Sequence, residues 1–293
     1  MRILFVTSNR LGDAILSTGL LDHLIRTNPA ARITVVCGPV AEGVFARMPN
    51  REQTIVLEKQ PYGLHWLPLW AFASRRWWDL VVDIRGSALS YLLPTCRRAV
   101  MRRRPGHKTR QLAAILGLDP PPLPVAWIAP EDHARAAVLL PDTRPVVALA
   151  PTANWDGKIW PARRFADVFH ALKVTLLPGA VAAVIAGPGA AERALATPVL
   201  EALPDAIDLV GHLTLPVAAA CLHRSALFVG NDSGLMHLSA SAGAPTIGLF
   251  GPTSATEYGP SGSRAVPIVA PAGRMDDISV AAVTAAARTL LQG

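Results

Sequence analysis

The sequence has few cysteines, few acidic residues and no long apolar run. Its three cysteines, Cys37, Cys96 and Cys221, are widely separated and form no CxxC pair. This pattern favours neither a zinc site nor a disulfide framework and is typical of a reducing compartment. No uninterrupted apolar stretch of about 18 residues occurs, and the first residues lack the long apolar core of a secretory signal. We therefore expect a cytosolic protein without a transmembrane segment.

The charge is unevenly distributed along the chain. Residues 1–140 contain 18 Lys and Arg against 10 Asp and Glu, whereas residues 141–293 contain 10 against 11. Of the 28 cations, 24 are Arg, so an arginine-rich genome explains part of the excess but not its asymmetry. The basic half is suited to contact nucleic acid, an anionic membrane or a phosphorylated substrate.

Short apolar runs alternate with longer amphipathic stretches, which is typical of βαβ units and parallel sheets. The proline-rich stretch 119–132 interrupts this alternation and predicts a linker between two α/β domains, 1–125 and 126–293. One long helix is expected at 13–27 and a last one at 277–291, which could pack back on the first domain. The predicted strands are 2–7, 32–37, 53–57, 79–84, 98–101, 145–150, 181–186, 206–210, 226–229 and 245–250.

Two loops after predicted strands carry residues suited to binding and catalysis. In the first, Gly12 permits a tight turn and Asp13 opens a helix, where a carboxylate is stabilised by the helix dipole. An ordinary helix cap would look the same. In the second, Lys158 precedes a helix expected at Pro161, and its charge can neutralise a diphosphate, with Thr152 adding a hydroxyl. A solvated loop lysine is the alternative there.

The segment Ala226–Thr253 contains more features than an ordinary helix cap needs, which favours a binding site. A strand runs into Asn-Asp-Ser-Gly, and a helix of small residues follows, so its N-terminal amides can cradle phosphate. The side chains expected there are Asp232, Ser233, Gly234 and His237. Another strand end, near Gly187, has G-x-G without the third glycine of a dinucleotide site. At this strand end we expect only a contact between Glu192 and the nucleotide, and this expectation is weaker than the one for Ala226–Thr253.

The stretch Cys96–Arg110 contains seven Lys and Arg, and no acid occurs from 84 through 118. Because no aromatic residue is interleaved with these cations, the stretch does not favour nucleic acid. A phosphorylated or anionic glycolipid fits it equally well, and solvated surface remains possible for several arginines.

Together these motifs resemble glycosyltransferase family 9, the ADP-heptose:lipopolysaccharide heptosyltransferases. The resemblance is carried by R-x-G-D ending at Asp13, V-D-x-R-G at 82–86, W-x-x-K-x-W-P at 155–161 and N-D-S-G-x-M-H-L from Asn231. It implies a GT-B fold, with two Rossmann-like domains whose parallel sheets face a central cleft. It also implies inverting transfer without a metal or other cofactor.

The resemblance also implies roles for residues at the matching positions. Asp13 would be the general base. The donor nucleotide sugar would be held in the second domain, and an anionic glycolipid acceptor at the inner-membrane surface would meet the first. The expected donor contacts at matching positions are Thr152, Lys158, Asp232, Ser233, Gly234 and His237, and Glu192 is added as a candidate for the ribose from its own segment. The expected acceptor contacts, which include the basic stretch, are Arg10, Arg85, Arg102, Arg103, Arg104 and His107.

Two alternatives stay open at this point. One is another GT-B enzyme, either a transferase for a different nucleotide sugar or a sugar-nucleotide epimerase. The other is a non-enzymatic protein that binds anionic lipid or nucleic acid through the basic stretch.

Overall fold

The structure is a computed structural model that describes residues 1–102, 104–141 and 143–292. The chain divides into two compact units, Met1–Trp127 and Ile128–Gly293. Each unit is an α/β layer structure around a parallel sheet. None of the helices in the described residues is long and apolar enough to span a bilayer.

The first unit contains a five-stranded sheet in which every pair of neighbours is parallel. Its strands are β1 (Arg2–Val6), β2 (Arg32–Cys37), β3 (Arg51–Val56), β4 (Trp78–Asp83) and β5 (Thr95–Val100). Their order across the sheet is β3-β2-β1-β4-β5. Apolar side chains of β1, β2 and β4 are buried on both faces, which explains why these strands read as continuous apolar runs.

The helices of the first unit differ from prediction at one position. The expected helix 13–27 is divided at Ser17 into two helices, although the backbone of Ser17 stays helical; its hydroxyl bonds back to the carbonyl of Ala14 and to Thr7 Oγ1. Such local side-chain bonds compete with helix continuation. The helices of this unit are α1 (Leu11–Leu16), α2 (Thr18–Thr27), α3 (Trp66–Ala73) and α4 (Lys108–Ala113). Short 3-10 turns lie at Pro39–Phe45, Pro61–Gly63 and Ala88–Leu92.

The second unit contains a six-stranded parallel sheet. Its strands are β6 (Val146–Ala150), β7 (Val181–Val184), β8 (Ile207–Asp208), β9 (Leu227–Asn231), β10 (Thr246–Phe250) and β11 (Ala265–Val269). Their order is β11-β10-β9-β6-β7-β8. The edge strand β11 was not predicted.

The helices of the second unit cover its sheet. They are α5 (Pro130–Leu139), α6 (Ala162–Thr175), α7 (Ala190–Ala202), α8 (Leu215–Arg224), α9 (Gly234–Ser241), α10 (Ala255–Tyr258) and α11 (Val280–Gln292). Further 3-10 turns lie at Asp156–Lys158 and Met275–Asp277. The core includes Trp160 and Phe165, whose rings meet edge to face at 5.1 Å, together with Val283 and Ala287 of α11.

The proline-rich stretch is irregular through Ala129, as predicted, but Pro130 opens α5 instead of continuing the linker. Proline is tolerated there because the first turn of a helix needs no amide donor. The irregular part packs against α2. A Cβ built at Gly19 would lie 2.6 Å from the carbonyl oxygens of Pro122 and Leu123, and Thr18 Oγ1 accepts a bond from the Val125 amide.

The strand orders place one switch point in each sheet. In the first unit, β2 lies on one side of β1 and β4 lies on the other side, so the chain changes direction across the sheet at β1. In the second unit, β7 and β9 lie on opposite sides of β6 in the same way. Ligands of open α/β sheets bind outside the carboxyl ends of the strands at such points. The loops after β1, β4, β6 and β9 are therefore the places to look for a site.

Candidate active site

A part-buried ion pair lies at the switch point of the second unit. The ammonium of Lys158 donates to Asp232 Oδ2 at 2.6 Å, and their side chains are only 16% and 8% exposed. Lys158 ends the 3-10 turn after β6, and Asp232 directly follows β9. Because β6 and β9 are neighbouring parallel strands, residues separated by 74 positions meet at one sheet edge.

Asn231 fixes the loop that carries Lys158. Its side-chain amide donates to the Pro151 carbonyl at 2.7 Å, and its Oδ1 accepts from the Trp160 amide at 3.1 Å. Trp160 in turn is fully buried and donates its indole N–H to the Ile278 carbonyl. Both polar groups of the Asn231 side chain are thus bonded to backbone atoms, and they hold the two ends of the loop between β6 and α6.

Two hydroxyl oxygens near this edge are buried without a partner. Ser233 is the N-cap of α9 but makes no side-chain cap bond, and Ser233 Oγ and Thr253 Oγ1 find no hydrogen-bond partner among the described residues. Buried polar groups are nearly always satisfied, so unpaired ones at a strand edge indicate a ligand. Thr253, in the loop after β10, was not predicted as a site residue. The sequence feature that could have identified Thr253 is the Gly-Pro-Thr that follows an apolar strand.

The helix that begins at Gly234 sits close to the sheet, as its small residues predicted. A Cβ built at Gly248 of β10 would lie 2.3 Å from Met236 Sδ, and one at Gly262 would lie 2.7 Å from the Ala240 carbonyl oxygen. His237 is buried on the first turn of the same helix. Close packing therefore holds the free N–H groups of α9 at the sheet edge, where they favour an anion.

The other expected donor residues occupy neighbouring strand ends. Thr152 is buried two residues after the end of β6. Glu192 lies in the first turn of α7 and accepts a bond from the Gly187 amide at 3.1 Å, so one of its oxygens stabilises the loop after β7.

In the first unit, Asp13 lies at the switch point formed by β1 and β4. Its Oδ1 is buried and has no hydrogen-bond partner among the described residues, while Ser8 Oγ lies 3.4 Å from Oδ2. The carboxylate belongs to the first turn of α1, where the helix dipole stabilises negative charge. It therefore retains an oxygen that can accept a proton or a hydrogen bond.

Asp83 organises the loop after β4 and was not predicted as a site residue. It is fully buried and accepts backbone bonds from Arg85, Gly86 and Ser87 as well as the hydroxyls of Ser87 and Ser90. Five donors compensate the burial of this carboxylate. The signal for it was the V-D-x-R-G motif, in which the acid ends an apolar strand.

Arg85 follows Asp83 and turns toward the loop after β1. Its guanidinium donates to Asn9 Oδ1 at 3.2 Å and lies 4.7 Å from the centroid of the Trp66 ring. Desolvation by burial lowers the pKa of Arg85 from its ordinary value, and the nearby Asp83 carboxylate opposes that shift. The cation thus lies beside the segment that leads to Asp13.

The basic stretch borders an open cleft between β5 and α4. The cleft has a volume of about 390 Å³, and its lining includes Arg98, Arg102, Arg104 and Gln111. Arg103 lies outside the described residues. His107 caps α4 by accepting the Thr109 amide, and Arg10 is exposed after Asn9. Arg102 and Arg104 therefore share one cleft, while Arg10, Arg85 and His107 lie outside its lining.

No group of three or more His, Cys, Asp or Glu side chains within residues 1–102, 104–141 and 143–292 is arranged to hold a metal ion.

Two parallel-sheet α/β units define a GT-B fold, which is the fold of many glycosyltransferases. The family model described as glycosyltransferase family 9 (heptosyltransferase) matches residues 97–283. The chain belongs to this family and is a glycosyltransferase.

The similarity extends over most of the chain. Lipooligosaccharide heptosyltransferase 2 of Haemophilus influenzae is 24% identical, with 87% of this chain and 84% of the relative covered. A solved family 9 glycosyltransferase of Veillonella parvula superposes with a TM-score of 0.84 at 24% identity, covering 99% and 97% of the two chains. The ADP-heptose lps heptosyltransferase II of E. coli superposes with a TM-score of 0.79 at 21% identity over 100% and 99%. The two superpositions establish the GT-B fold.

Proposed function

We propose that this glycosyltransferase transfers a heptose from ADP-heptose to a lipopolysaccharide core acceptor, with inversion at the anomeric carbon and without a metal ion. The observation that carries the proposal is the part-buried Lys158 ammonium near two unpaired hydroxyls and the α9 N-terminus. Such a set is complementary to a diphosphate. The names of the relatives support heptose as the sugar and lipooligosaccharide as the acceptor class.

The donor contacts follow from the chemistry of each group. The Lys158 ammonium, the amide of Gly234 and the hydroxyls of Thr152 and Ser233 would hold the phosphates, because each donates hydrogen bonds to anionic oxygen. Negative charge builds on ADP as it leaves, and the ammonium and helix N-terminus would stabilise it.

Asp232 would serve the sugar and not the phosphates. A carboxylate beside a diphosphate would repel it, whereas sugar hydroxyls are good donors to carboxylate oxygen. Asp232 also holds Lys158 through the 2.6 Å bond and so keeps the ammonium in place before the donor arrives. His237 would contact the heptose or diphosphate from the same helix, and Glu192 would approach the ribose.

Asp13 would be the general base. Inverting transfer requires a base that removes the acceptor's proton on the face opposite the leaving group. The free Oδ1 of Asp13 is the atom suited to this task in the first unit. The proposal assigns the acceptor to the first unit and the donor to the second.

The acceptor would be an anionic glycolipid. Its phosphates or carboxylates would be bound by Arg102 and Arg104 at the basic cleft and by Arg10, Arg85 and His107 near the loop after β1. Arg103 is part of the same prediction from sequence. A lipid-linked acceptor places the enzyme at the cytoplasmic face of the inner membrane.

The donor assignment is tested by thermal shift with ADP-heptose and with ADP-, GDP- and UDP-sugars of matched concentration. We expect ADP-heptose to raise the melting temperature most, since only a ligand of the folded state stabilises it. Stabilisation by UDP-sugars alone would reject ADP-heptose. Interconversion of the donor without an acceptor would show an epimerase instead.

The base assignment is tested with Asp13→Asn, an isosteric change that removes the charge. We expect transfer to fall by at least about 10²-fold, while ADP affinity, measured by calorimetry, changes little. Asp22→Asn on α2, which lies in an ion pair with Arg26 away from the loop after β1, is the matched control and should transfer normally. Normal turnover of the Asp13 variant would remove this residue from catalysis, whatever the donor.

A further inference from the structure

The first unit exposes a concentration of large apolar side chains. Seven of the fourteen such side chains exposed in the described part of the chain lie between residues 62 and 92. We call six of them the apolar patch, and Tyr62, which is fully exposed, precedes it. The patch consists of Leu64, Leu67, Trp70, Trp77, Tyr91 and Leu92.

The helix α3 shows why this exposure is unusual. Its sequence, WLPLWAFA, contains no polar side chain. Leu69 and Ala73 face the core at 1% and 0% exposure, whereas Leu67 and Trp70 are 60% and 44% exposed. Residues three apart share a helix face, so Leu67 and Trp70 form one apolar outer face. A helix that is apolar all round is normally buried on every side or lies against lipid.

The patch continues from α3 onto the 3-10 turn Ala88–Leu92. Leu69 of α3 and Leu89 of the turn belong to the same core cluster on one face of the sheet. The two elements therefore form one covering layer. Tyr91 and Leu92 extend its outer side, with both side chains more than half exposed.

Two arginines lie beside the layer that carries the patch, and acids are almost absent. No Asp or Glu occurs between Glu58 and Asp79, or between Asp83 and Asp119, and Asp83 is buried. The guanidinium of Arg76 lies 4.1 Å from the Phe72 ring centroid, and that of Arg98 lies 5.8 Å from the Tyr91 centroid. The apolar surface thus carries a rim of positive charge.

We propose that the apolar patch docks the enzyme on the surface of an anionic phospholipid bilayer. Trp and Tyr favour the membrane–water interface, where the ring enters the headgroup region and its polar group stays hydrated. Leucines add buried apolar area, and arginines at the rim are attracted to anionic headgroups. The interaction is with bulk lipid and does not depend on the identity of the donor. Tyr91 and Arg98 also line the cleft proposed for the acceptor, so the patch borders that cleft.

Co-sedimentation with vesicles tests the proposal. The vesicles contain phosphatidylethanolamine and phosphatidylglycerol and no glycolipid, so acceptor recognition cannot cause binding. We expect the whole chain to bind and Leu67→Ser/Trp70→Ser to lower the partition coefficient at least about tenfold. Binding should also weaken with salt and with replacement of phosphatidylglycerol by a neutral lipid.

The matched control is Val138→Ser/Val174→Ser, which removes two exposed valines from the second unit. It should bind vesicles as the unaltered chain does. A second measurement uses lipids brominated on the acyl chain: they should quench tryptophan fluorescence, and Trp70→Phe/Trp77→Phe should reduce that quenching. Quenching by acyl-chain bromine would require the tryptophans to insert into the bilayer, because adsorption by charge alone would leave them outside it.

Three results would overturn the proposal. The first is absence of vesicle binding by the unaltered chain. The second is equal binding by the Leu67→Ser/Trp70→Ser variant. The third is a dimer that this variant converts to monomer in sedimentation velocity, which would make the patch a contact between copies of the chain. None of these results bears on Asp13 or on the donor.

Discussion

Replacing Lys158 by methionine tests the part-buried ion pair directly, because methionine keeps the apolar stem and removes the ammonium. At 2.6 Å and an effective dielectric constant of about 20, the gross attraction between the charges is ~6 kcal/mol. The desolvation of both groups offsets part of this attraction. We expect the coupling between Lys158 and Asp232 to be about 1.5–3 kcal/mol, the range of hydrogen bonds to charged groups.

The single variant should lose more than this coupling energy. It leaves the Asp232 carboxylate buried without its partner; breaking a fully buried pair costs about 3–5 kcal/mol, and the lower end of that range is expected for this part-buried pair. For a unit of this size the melting temperature should fall by roughly 6–12 °C for a loss of about 3 kcal/mol. Lys158→Met/Asp232→Asn should recover part of the loss, because the uncompensated charge is gone.

The assay is a double-mutant cycle by calorimetry, which resolves the transition of the second unit, with ADP affinity measured on the same four proteins. Lys173→Met is the control, since that lysine is exposed on α6 of the same unit. A coupling below about 0.5 kcal/mol, the value for solvated pairs, would refute the inference that the pair is part-buried and preorganised. Unchanged ADP affinity in Lys158→Met would refute its role at the diphosphate.

Two further outcomes follow from other parts of the molecule. Arg102→Gln/Arg104→Gln should lower kcat/KM for the acceptor about tenfold with little change in ADP affinity; a fall in ADP affinity instead would assign the cleft to the nucleotide. At about pH 8 only the exposed Cys96 should react quickly with Ellman's reagent. The other two thiols should react slowly, because burial raises the pKa of Cys37 to about 12 and that of Cys221 to about 11. All three should react in denaturant, and three fast thiols in the native protein would contradict the described burial.

The sheets could be predicted because parallel strands buried on both faces must be apolar runs. The ten predicted strands all overlap observed ones. The missed strand, β11, lies at a sheet edge, is partly exposed and contains Pro267. An edge strand needs apolar side chains on fewer sides, and a proline is acceptable there. Its pairing with β10 comes from the sheet and not from its own sequence pattern.

Helix boundaries were less predictable because they depend on single hydrogen bonds. Periodicity indicated one helix where Ser17 divides two. Prolines indicated a linker as far as Asp132, yet Pro130 starts α5. In both cases the composition was read correctly, but the local partner of one residue decided where the helix began or ended.

The residues proposed to bind the donor were predicted from motifs because each follows an apolar strand or opens a helix. Their pairing was not predicted. Lys158 reaches Asp232 only because β9 lies beside β6, and no local pattern specifies that neighbour. Asp83 and Thr253 were missed although each lies in a recognisable motif, because the bonds that Asp83 makes and Thr253 lacks depend on the folded structure.

The sequence by itself determined two α/β halves, the excess of cations in the first and the family to which the chain belongs, because periodicity, charge and motifs are properties of nearby residues. Tertiary structure alone decided which strand ends are adjacent, which hydroxyls are left unpaired and which apolar side chains stay outside the core. These depend on strand order and packing, which bring together residues that are distant in sequence.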